Sequence, residues 1–153
     1  TTSNIVKLAD FGLSRHFNFP NNDHSKEIQT LWYRSPEIML GDKDYCISLD
    51  MWSLGCIFAE MFDKRVIFKG DSQIDMIFKI FQLIGTPNEE IYPGVTKLPD
   101  WLLSFPKFPP KRLNSLYPEL KGNALDLISM MLVINPQNRI TAKDALKHPF
   151  FTN

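Results

Sequence analysis

Apolar residues follow one another through several stretches of this chain, and the most apolar stretch predicts a buried α-helix. Residues 49–62 read LDMWSLGCIFAEMF, in which only Asp50, Ser53 and Glu60 are strongly polar. A helix that is apolar on nearly every face is typical of a protein interior. The pattern therefore predicts a central buried helix over 49–62, and Ser48 just before it is a suitable N-cap.

A second helix is predicted from Ser72, whose capping partner is Asp75 three residues later. The sequence GTP at 85–87 predicts its end, because glycine and proline both stop helices. Its apolar positions follow at helical spacing. They are Ile74, Ile77, Phe78, Phe81 and Ile84.

Two more helices are predicted near the end of the chain. One covers 124–133 and is closed by the Asn-Pro pair at 135–136. Thr141 and Asp144 form a capping box that starts a last short helix, which we expect to stop at Pro149.

The remaining segments lack a helical pattern. Residues 5–9 read IVKLA and predict a short strand that ends at Asp10. Residues 12–35 predict a long loop, and long ordered loops are often functional. Residues 86–121 hold seven of the eleven prolines. This stretch is expected to pack rather than stay disordered, because it keeps the aromatic residues Tyr92, Trp101, Phe105, Phe108 and Tyr117.

Composition narrows the class of protein without naming a function. The 153 residues suit one domain with a real core, and 44% of them are hydrophobic. Seventeen basic residues balance seventeen acidic ones, so bulk charge points to no nucleic acid or membrane surface. Cys46 and Cys56 are expected to be free thiols, and three scattered histidines make a zinc cluster improbable. The chain does not start with Met, which favours a fragment or a processed product.

Two short motifs contain residues that are candidates for a role in catalysis. The sequence DFG stands at 10–12, and SPE at 35–37 closes the run TLWYR at 30–34. Phosphoryl transfer needs a cation that bridges phosphate oxygens, and Asp10 before a glycine is a suitable ligand for it. Asp-Phe-Gly alone is also typical of a turn. A DFG followed by an Ala-Pro-Glu-like triplet, however, brackets the activation segment of a protein kinase.

The chain resembles the C-terminal lobe of the cyclin-dependent kinases, in the CMGC group that also contains the MAP kinases. Leu31 stands where MAP kinases usually have arginine, and the loop has no Thr-x-Tyr doublet, which favours the cyclin-dependent branch. The matching stretches lie in the family's order and cover almost the whole chain. They are KLADFGLSR at 7–15, TLWYRSPE at 30–37, LDMWSLGCI at 49–57, GTPN at 85–88, FPK at 105–107, NPQNRI at 135–140 and HPFF at 148–151.

The resemblance implies a mainly α fold, the C-terminal (large) lobe of the protein kinase-like fold, incomplete at its beginning, with a short N-terminal strand and a long activation loop. Residues 1–153 would then form a partial kinase domain. Its parts are the activation segment 10–37, the central helix 49–62, a CMGC-type insert 86–121 and the C-terminal helices 122–151.

The resemblance also assigns roles to single positions. Asp10 matches the magnesium ligand. Ser25 matches the activating phosphorylation site, and Arg15 matches an arginine that binds its phosphate through charge-assisted contacts. Thr30 matches the threonine that braces the catalytic aspartate, and Arg34 matches an arginine that shapes the pocket for a proline after the phosphorylated residue. The alternatives are a solvated loop serine at Ser25 and a surface arginine at Arg34.

Other matched positions are structural. Glu37 and Arg139 match an ion pair that ties the activation segment to the late helices. Asp50 matches an aspartate that hydrogen-bonds the catalytic-loop backbone, and the alternative is a buried aspartate with a local partner. Ser35 replaces the usual alanine, and we expect it to be tolerated. The insert 86–121 is either a docking site for partner proteins or packed filler.

Much of the kinase machinery is missing from this sequence. It contains no glycine-rich ATP loop, no strand lysine, and no His-Arg-Asp loop with the catalytic aspartate and the second metal ligand. Catalysis in kinases rests on positioning and charge stabilisation, which one metal ligand cannot supply. We therefore expect ATP and Mg²⁺ to be cofactors of the complete kinase, and the chain alone to be inactive.

Two readings remain open. The chain is the truncated record of a cyclin-dependent serine/threonine kinase, or it is a short non-catalytic binding module; a MAP-kinase-like enzyme is a further alternative. The apolar helix 49–62 favours truncation, because in the family upstream helices cover it. The expected partners are a cyclin or similar subunit, an upstream activating kinase and substrates with Ser/Thr-Pro sites, without nucleic acid or membrane. The expected location is the cytoplasm, the nucleus or both.

Overall fold

The computed structural model of this protein describes residues 6–13, 31–43 and 47–152. Within these ranges the structure is mainly helical and contains no β-strand. Short 3₁₀ turns connect the helices. The α-helices are α1 Pro36–Met39, α2 Ser48–Asp63, α3 Gln73–Ile84, α4 Leu113–Leu116, α5 Gly122–Met131, α6 Ala142–Ala145 and α7 Pro149–Thr152.

The prediction of a short N-terminal strand was wrong for the residues that the structure describes. Residues 6–9 have no regular secondary structure, and the Val6 side chain is 94% exposed. A strand needs a neighbouring strand to pair its backbone N–H and C=O groups. The described ranges offer no such neighbour, so apolar composition alone does not make this segment a strand.

Helix α2 lies at the centre of the described structure and packs against α5. Its length agrees with the predicted 49–62 to within one residue at each end. Close packing is possible because α2 carries Gly55, where a Cβ atom would lie only 2.9 Å from the Met131 Cβ. The predicted N-cap was wrong by one residue: Ile47 holds that position, and Ser48 already belongs to the helix.

The described residues cover only one face of α2. Trp52, Cys56 and Ala59 are buried, whereas Leu54 and Ile57 are exposed and Met61 is 70% exposed. The prediction of a helix buried on every face was therefore wrong for the described part of the chain. The reason is geometric, since the elements described here pack on a single side of α2.

Helix α3 has the predicted signals at both ends. The Ser72 side chain accepts a hydrogen bond from the Asp75 backbone N–H at 3.2 Å. At the other end Gly85 adopts φ 96°, a left-handed value that favours glycine. Of the predicted apolar positions Ile77 and Phe81 are buried, whereas Ile74 is 40% exposed. Met76 and Ile80, which were not among the predicted positions, are also buried.

The proline-rich stretch 86–121 is packed, as its aromatic residues predicted. The ring of Phe105 makes edge contacts with Phe81 and Trp101, with centroids 5.4 and 5.3 Å apart. The backbone N–H of Thr86 donates to the Phe108 carbonyl at 3.0 Å. The Tyr117 hydroxyl donates a hydrogen bond at 2.9 Å to the carbonyl of Ile67, which lies in the loop between α2 and α3. The stretch therefore belongs to the same core as α2 and α3.

The last helices differ from their predicted bounds: α5 covers Gly122–Met131 instead of 124–133, and α6 already ends at Ala145, before the expected stop at Pro149. Thr141 caps α6 by accepting the Asp144 backbone N–H at 3.1 Å. Pro149 does not stop α6 but is the first residue of α7, a position that proline fits. His148, just before it, is buried, and its Nδ1 accepts the Phe150 backbone N–H at 3.1 Å. Among the described helices, none is both long and apolar enough to cross a membrane.

Candidate functional site

The first predicted site residue, Asp10, lies exposed at a sharp change of backbone direction. It adopts φ 63°, which is uncommon for a residue other than glycine. The 3₁₀ turn Phe11–Leu13 follows directly, and the Asp10 Oδ1 lies over Gly12. A carboxylate is a ligand that Mg²⁺ accepts, and kinase sites use one or two of them with substrate phosphates. Asp10 therefore fits a Mg²⁺ ligand, with its oxygens open to a metal–phosphate complex.

Three predicted site residues, Arg15, Ser25 and Thr30, lie outside the described residues, as does Cys46. Cys56 is a free, buried thiol, and burial raises its pKa well above the ordinary value. Within the described ranges, no group of three or more His, Cys, Asp and Glu side chains is placed to hold a metal ion.

The end of the activation segment is described from Leu31 onward, and its tryptophan is tied to a neighbouring loop. The Trp32 Nε1 donates a hydrogen bond to the Gly70 carbonyl at 3.0 Å. The Lys69 Nζ lies 5.4 Å from the centre of the same ring, within cation–π distance. Trp32 therefore connects residues 31–34 to the loop that precedes α3.

Tyr33 ties the same segment to α2 through two contacts. Its hydroxyl donates to the Glu60 carboxylate at 2.7 Å. Its backbone carbonyl accepts a hydrogen bond from the Ser53 Oγ at 2.8 Å. The hydrogen bond to Glu60 is the largest cause of a raised pKa at Tyr33, which favours the neutral phenol.

Arg34 is half-buried and follows these contacts directly. Its backbone N–H donates to the Leu31 carbonyl at 3.1 Å. Arg34 is therefore held by a short turn at the point where the segment enters α1.

Glu37 and Arg139, which are 102 positions apart in sequence, form a bidentate ion pair. The Arg139 Nη1 lies 2.8 Å from one Glu37 oxygen, and Nη2 lies 3.0 Å from the other. The side chains of Arg139 and Glu37 are 0% and 1% exposed. Two parallel charge-assisted hydrogen bonds of this kind fix one relative geometry.

The remaining donors of Arg139 are also used. Its Nη1 donates to the Ser48 carbonyl at 2.7 Å, and Nε donates to the Val133 carbonyl at 3.2 Å. The guanidinium carbon lies 5.2 Å from the centre of the Trp52 ring. One arginine therefore joins α1, the first residue of α2 and the turn after α5.

Asp50 lies in the first turn of α2 and is exposed. The alternative of a buried aspartate was therefore wrong. Its carboxylate is open to groups outside the described residues, and an acidic side chain in the first turn also suits the positive end of the helix dipole.

Ser35 is buried, and its hydroxyl has no hydrogen-bond partner among the described residues. A buried hydroxyl without a partner costs about 1–3 kcal/mol of desolvation. We expect Ser35→Ala to raise the free energy of unfolding by about 1 kcal/mol in urea denaturation. Ser53→Ala is the matched control, because it removes a hydroxyl that does donate, and it should lower stability by a similar amount. A less stable Ser35→Ala variant would contradict the assignment of an unsatisfied hydroxyl.

Sequence reasoning missed the contacts that Tyr33 makes with α2. A signal was present, because Ser53 and Glu60 are polar exceptions in a very apolar helix. They are seven positions apart, which places them on one face of a helix. The sequence did not indicate that this face meets residues 31–34.

Comparison with known families identifies the class of protein. The family model described as the protein kinase domain matches residues 1–151. The chain therefore belongs to the protein kinase family, and its mainly helical structure agrees with that assignment. Members of this family are phosphotransferases that use ATP and Mg²⁺.

Proposed function

We propose that this chain carries the activation segment and the substrate-recognition part of a serine/threonine kinase of the cyclin-dependent type. The enzyme would transfer the γ-phosphate of ATP to serine or threonine followed by proline. The observation that carries this proposal is the way residues 31–37 are held. Contacts of Trp32, Tyr33 and Glu37 fix the segment on both sides of Arg34.

The proline preference rests on Arg34 and its neighbours. A pocket that accepts proline must keep its shape without a hydrogen bond from the substrate nitrogen, because proline has no N–H. Fixed protein groups can supply that shape at little cost in conformational entropy. Leu31 supports the cyclin-dependent branch over a MAP-kinase-like enzyme, which remains the alternative within the group.

The metal would be held by Asp10 together with phosphate oxygens of ATP. Mg²⁺ bound there would offset the negative charge that develops on the transferred phosphoryl group. The catalytic base is not among the residues of this sequence, so the proposal places turnover in a protein that holds this chain together with a catalytic loop.

Ser25 is proposed as the activating phosphorylation site, with Arg15 among the groups that bind its phosphate and an upstream kinase as the enzyme that adds it. A phosphate would add up to about two negative charges and three strong hydrogen-bond acceptors. Thr30 is proposed to brace the catalytic aspartate, and Asp50 the backbone of its loop. Mass spectrometry of the cellular protein that never detects phosphate on Ser25 would contradict the regulatory part of this proposal.

The proposed partners are a cyclin or similar regulatory subunit and Ser/Thr-Pro substrates, in the cytoplasm or the nucleus. The insert 86–121 is a second place for a protein partner. A cleft of about 270 Å³ opens where its residues Pro99 and Leu102 meet Ile74 and Ile77 of α3. A protein partner at this cleft would suit a complete kinase and a non-catalytic binding module alike. The binding module remains the competing proposal, and the assay below separates it from the kinase proposal.

The test is a phosphorylation assay with four peptides that differ only around the acceptor: Ser-Pro, Thr-Pro, Ser-Ala and Tyr-Pro. The longest protein that the gene encodes is compared with the chain of residues 1–153. We expect the longest protein to modify Ser-Pro and Thr-Pro at least about tenfold faster than Ser-Ala, which corresponds to about 1.4 kcal/mol of discrimination. The Tyr-Pro peptide should stay unmodified, and the chain alone should show no turnover.

Two variants of the longest protein sharpen the assay. Asp10→Asn should abolish turnover on every peptide, because it removes the charged metal ligand. Arg34→Ala should reduce the Ser-Pro to Ser-Ala ratio while turnover on Ser-Ala persists. Tyrosine phosphorylation or equal rates with and without proline would overturn the proposed specificity. Absence of turnover in the longest protein, together with peptide binding to it, would favour the binding module.

A further inference from the structure

Lys69 places its ammonium group over the ring of Trp32, beside the segment that contains Arg34. The Lys69 Nζ lies 5.4 Å from the centre of the ring, and the residue is exposed. A cation at this distance is attracted to the face of an aromatic ring, so the ring favours one position of an otherwise flexible side chain. A positive charge is therefore held next to residues 31–34, which the proposed function assigns to substrate recognition.

The backbone around Lys69 is held in place by several contacts. The Lys69 carbonyl accepts a hydrogen bond from the Lys79 Nζ at 2.5 Å. In the next residue, Gly70, the N–H donates to the Met76 Sδ at 3.2 Å, and the carbonyl accepts the Trp32 Nε1 at 3.0 Å. Gly70 is also tightly packed, since a Cβ atom there would lie 2.7 Å from the Met76 Cγ. The loop therefore leaves little freedom to the backbone from which the Lys69 side chain extends.

The Lys69 ammonium group has no partner of opposite charge among the described residues. None of the ion pairs found within 6–13, 31–43 and 47–152 includes Lys69. The Asp75 carboxylate, which lies near the same loop, is already paired with Lys79 at 2.9 Å. A lysine ammonium has three N–H donors, and in these ranges the Lys69 Nζ contacts the Trp32 ring without donating to a protein acceptor. Lys69 is therefore a positioned cation with open donors, which suits an anionic ligand.

We propose that Lys69, positioned by Trp32, is a specificity-determining residue that binds an anionic side chain of the peptide substrate. The anion is the carboxylate of aspartate or glutamate, or the phosphate of a residue that is already phosphorylated. Lys69 does not touch the acceptor hydroxyl in this proposal; it adds a contact at another position of the same peptide. The proposal rests on the function proposed above, and it adds a charge preference to the preference for proline.

The expected preference is modest, because the contact is exposed to water. An exposed ion pair changes an equilibrium constant by at most about fivefold. The contact is present in the substrate complex and in the transition state alike, so it should lower KM and leave kcat unchanged. A phosphate should have a larger effect than a carboxylate, because it carries about −1.5 to −2 charges at neutral pH.

The first measurement is phosphorylation of Ser-Pro peptides by the longest protein that the gene encodes. A single glutamate is moved through a peptide of alanines, on both sides of the Ser-Pro pair. We expect one position, or two neighbouring ones, at which glutamate lowers KM about threefold to fivefold relative to alanine. The same scan with phosphoserine identifies the anion. An effect above about tenfold shows that phosphate is the better ligand, and an effect equal to that of glutamate shows that a carboxylate suffices.

Three variants show whether Lys69 is the source of this preference. Lys69→Met keeps the length of the side chain and its packing on the ring without the charge, so the preference for glutamate should disappear. Lys69→Glu should reverse it and favour lysine at the same peptide position. Lys143→Met is the matched control, because Lys143 is exposed in α6 and also belongs to none of the ion pairs described. It should keep the preference, and circular dichroism shows that each variant is folded.

The second measurement needs no turnover. Binding of the glutamate peptide and of the alanine peptide to the longest protein, without ATP, is followed by fluorescence anisotropy. The glutamate peptide should bind about threefold to fivefold more tightly, and Lys69→Met should remove the difference. About 0.5 M sodium chloride should also remove most of it, because salt screens charges that are exposed to solvent.

The outcomes separate the two proposals. If Ser-Pro peptides are phosphorylated but glutamate has no effect at any position, Lys69 does not determine specificity. A preference that persists in Lys69→Met, or that is lost equally in Lys143→Met, overturns the proposal as well, since it would then reflect other groups or the net charge. If the unsubstituted protein does not prefer Ser-Pro to Ser-Ala, the proposed function fails, and the anisotropy measurement still decides whether Lys69 binds an anionic peptide.

Discussion

Replacing Glu37 by alanine should lower the free energy of unfolding by about 3–5 kcal/mol, because it leaves the buried Arg139 guanidinium without its counter-ion. The arginine side chain is 0% exposed, so water cannot replace the lost carboxylate without rearrangement. The carbonyls of Ser48 and Val133 still accept hydrogen bonds from the guanidinium, but they carry no formal charge. Urea denaturation followed by circular dichroism measures the loss.

Two further variants give this experiment its controls. Lys147→Ala breaks an exposed ion pair with Asp144, of 3.2 Å, and should leave the denaturation midpoint nearly unchanged, because water and salt screen exposed ion pairs. The double variant Glu37→Leu with Arg139→Met removes both charges and should recover part of the loss. If Glu37→Ala has the same denaturation midpoint as the unsubstituted chain, the pair does not hold α1 in place.

The second large effect is expected for Phe81→Ala, which should also lower the free energy of unfolding by about 3–5 kcal/mol. Phe81 is fully buried in α3, and its ring contacts Trp101 and Phe105 of the insert, with centroids 6.1 and 5.4 Å apart. Truncation to alanine removes these contacts and leaves a cavity between the helix and the insert. Urea denaturation gives the size of the loss.

Hydrogen exchange of backbone amides shows which part of the structure is destabilised by Phe81→Ala. Faster exchange of the Trp101 and Phe105 amides in Phe81→Ala would show that the insert depends on α3. Phe151→Ala is the control, since that ring is 53% exposed and should cost less than about 1 kcal/mol. A small effect of Phe81→Ala, with unchanged protection of the insert, would mean that residues 86–121 pack independently of α3.

The ion pair and the Tyr33 contacts together explain why the end of the activation segment has a fixed geometry. Glu37 lies in α1, directly after residues 31–35, and Arg139 connects it to the start of α2. Tyr33 contacts α2 further along, through Ser53 and Glu60. The segment is therefore held at two points of one helix, with Arg34 between them.

Local signals in the sequence predicted both ends of α3, whereas the observed bounds of α2, α5 and α6 differ from the predicted ones by one or two residues. The cap of α3 at Ser72 and its end at Gly85 were predicted because a cap hydrogen bond and a positive φ depend on a few adjacent residues. The packing of the proline-rich stretch was predicted from its aromatic residues, which have too much apolar surface to remain in water. The kinase motifs at 10–12 and 35–37 indicated the family, which the domain match confirmed.

Local signals failed where a contact comes from a distant part of the chain. The apolar segment at 5–9 predicted a strand, yet its described part, residues 6–9, is not one, because a strand needs a neighbouring strand that the described residues do not provide. Helix α2 has apolar residues on every face, and the described elements cover only one of them. Asp50 was assigned a role by resemblance. Its exposure depends on which elements pack against α2, so the sequence did not predict it.

The sequence by itself determined both ends of α3 and indicated the family to which the chain belongs, because caps, turns and motifs are properties of neighbouring residues. The tertiary structure decided which face of α2 is buried, and it joined Tyr33 to Glu60. The sequence marked Glu60 as a polar exception in α2 but did not indicate its partner. The Glu37–Arg139 ion pair was implied by the family resemblance, but no local pattern predicted it, because 102 positions of sequence separate the two residues. Such contacts depend on how whole elements pack, and packing is set by the summed burial of many side chains rather than by any local pattern.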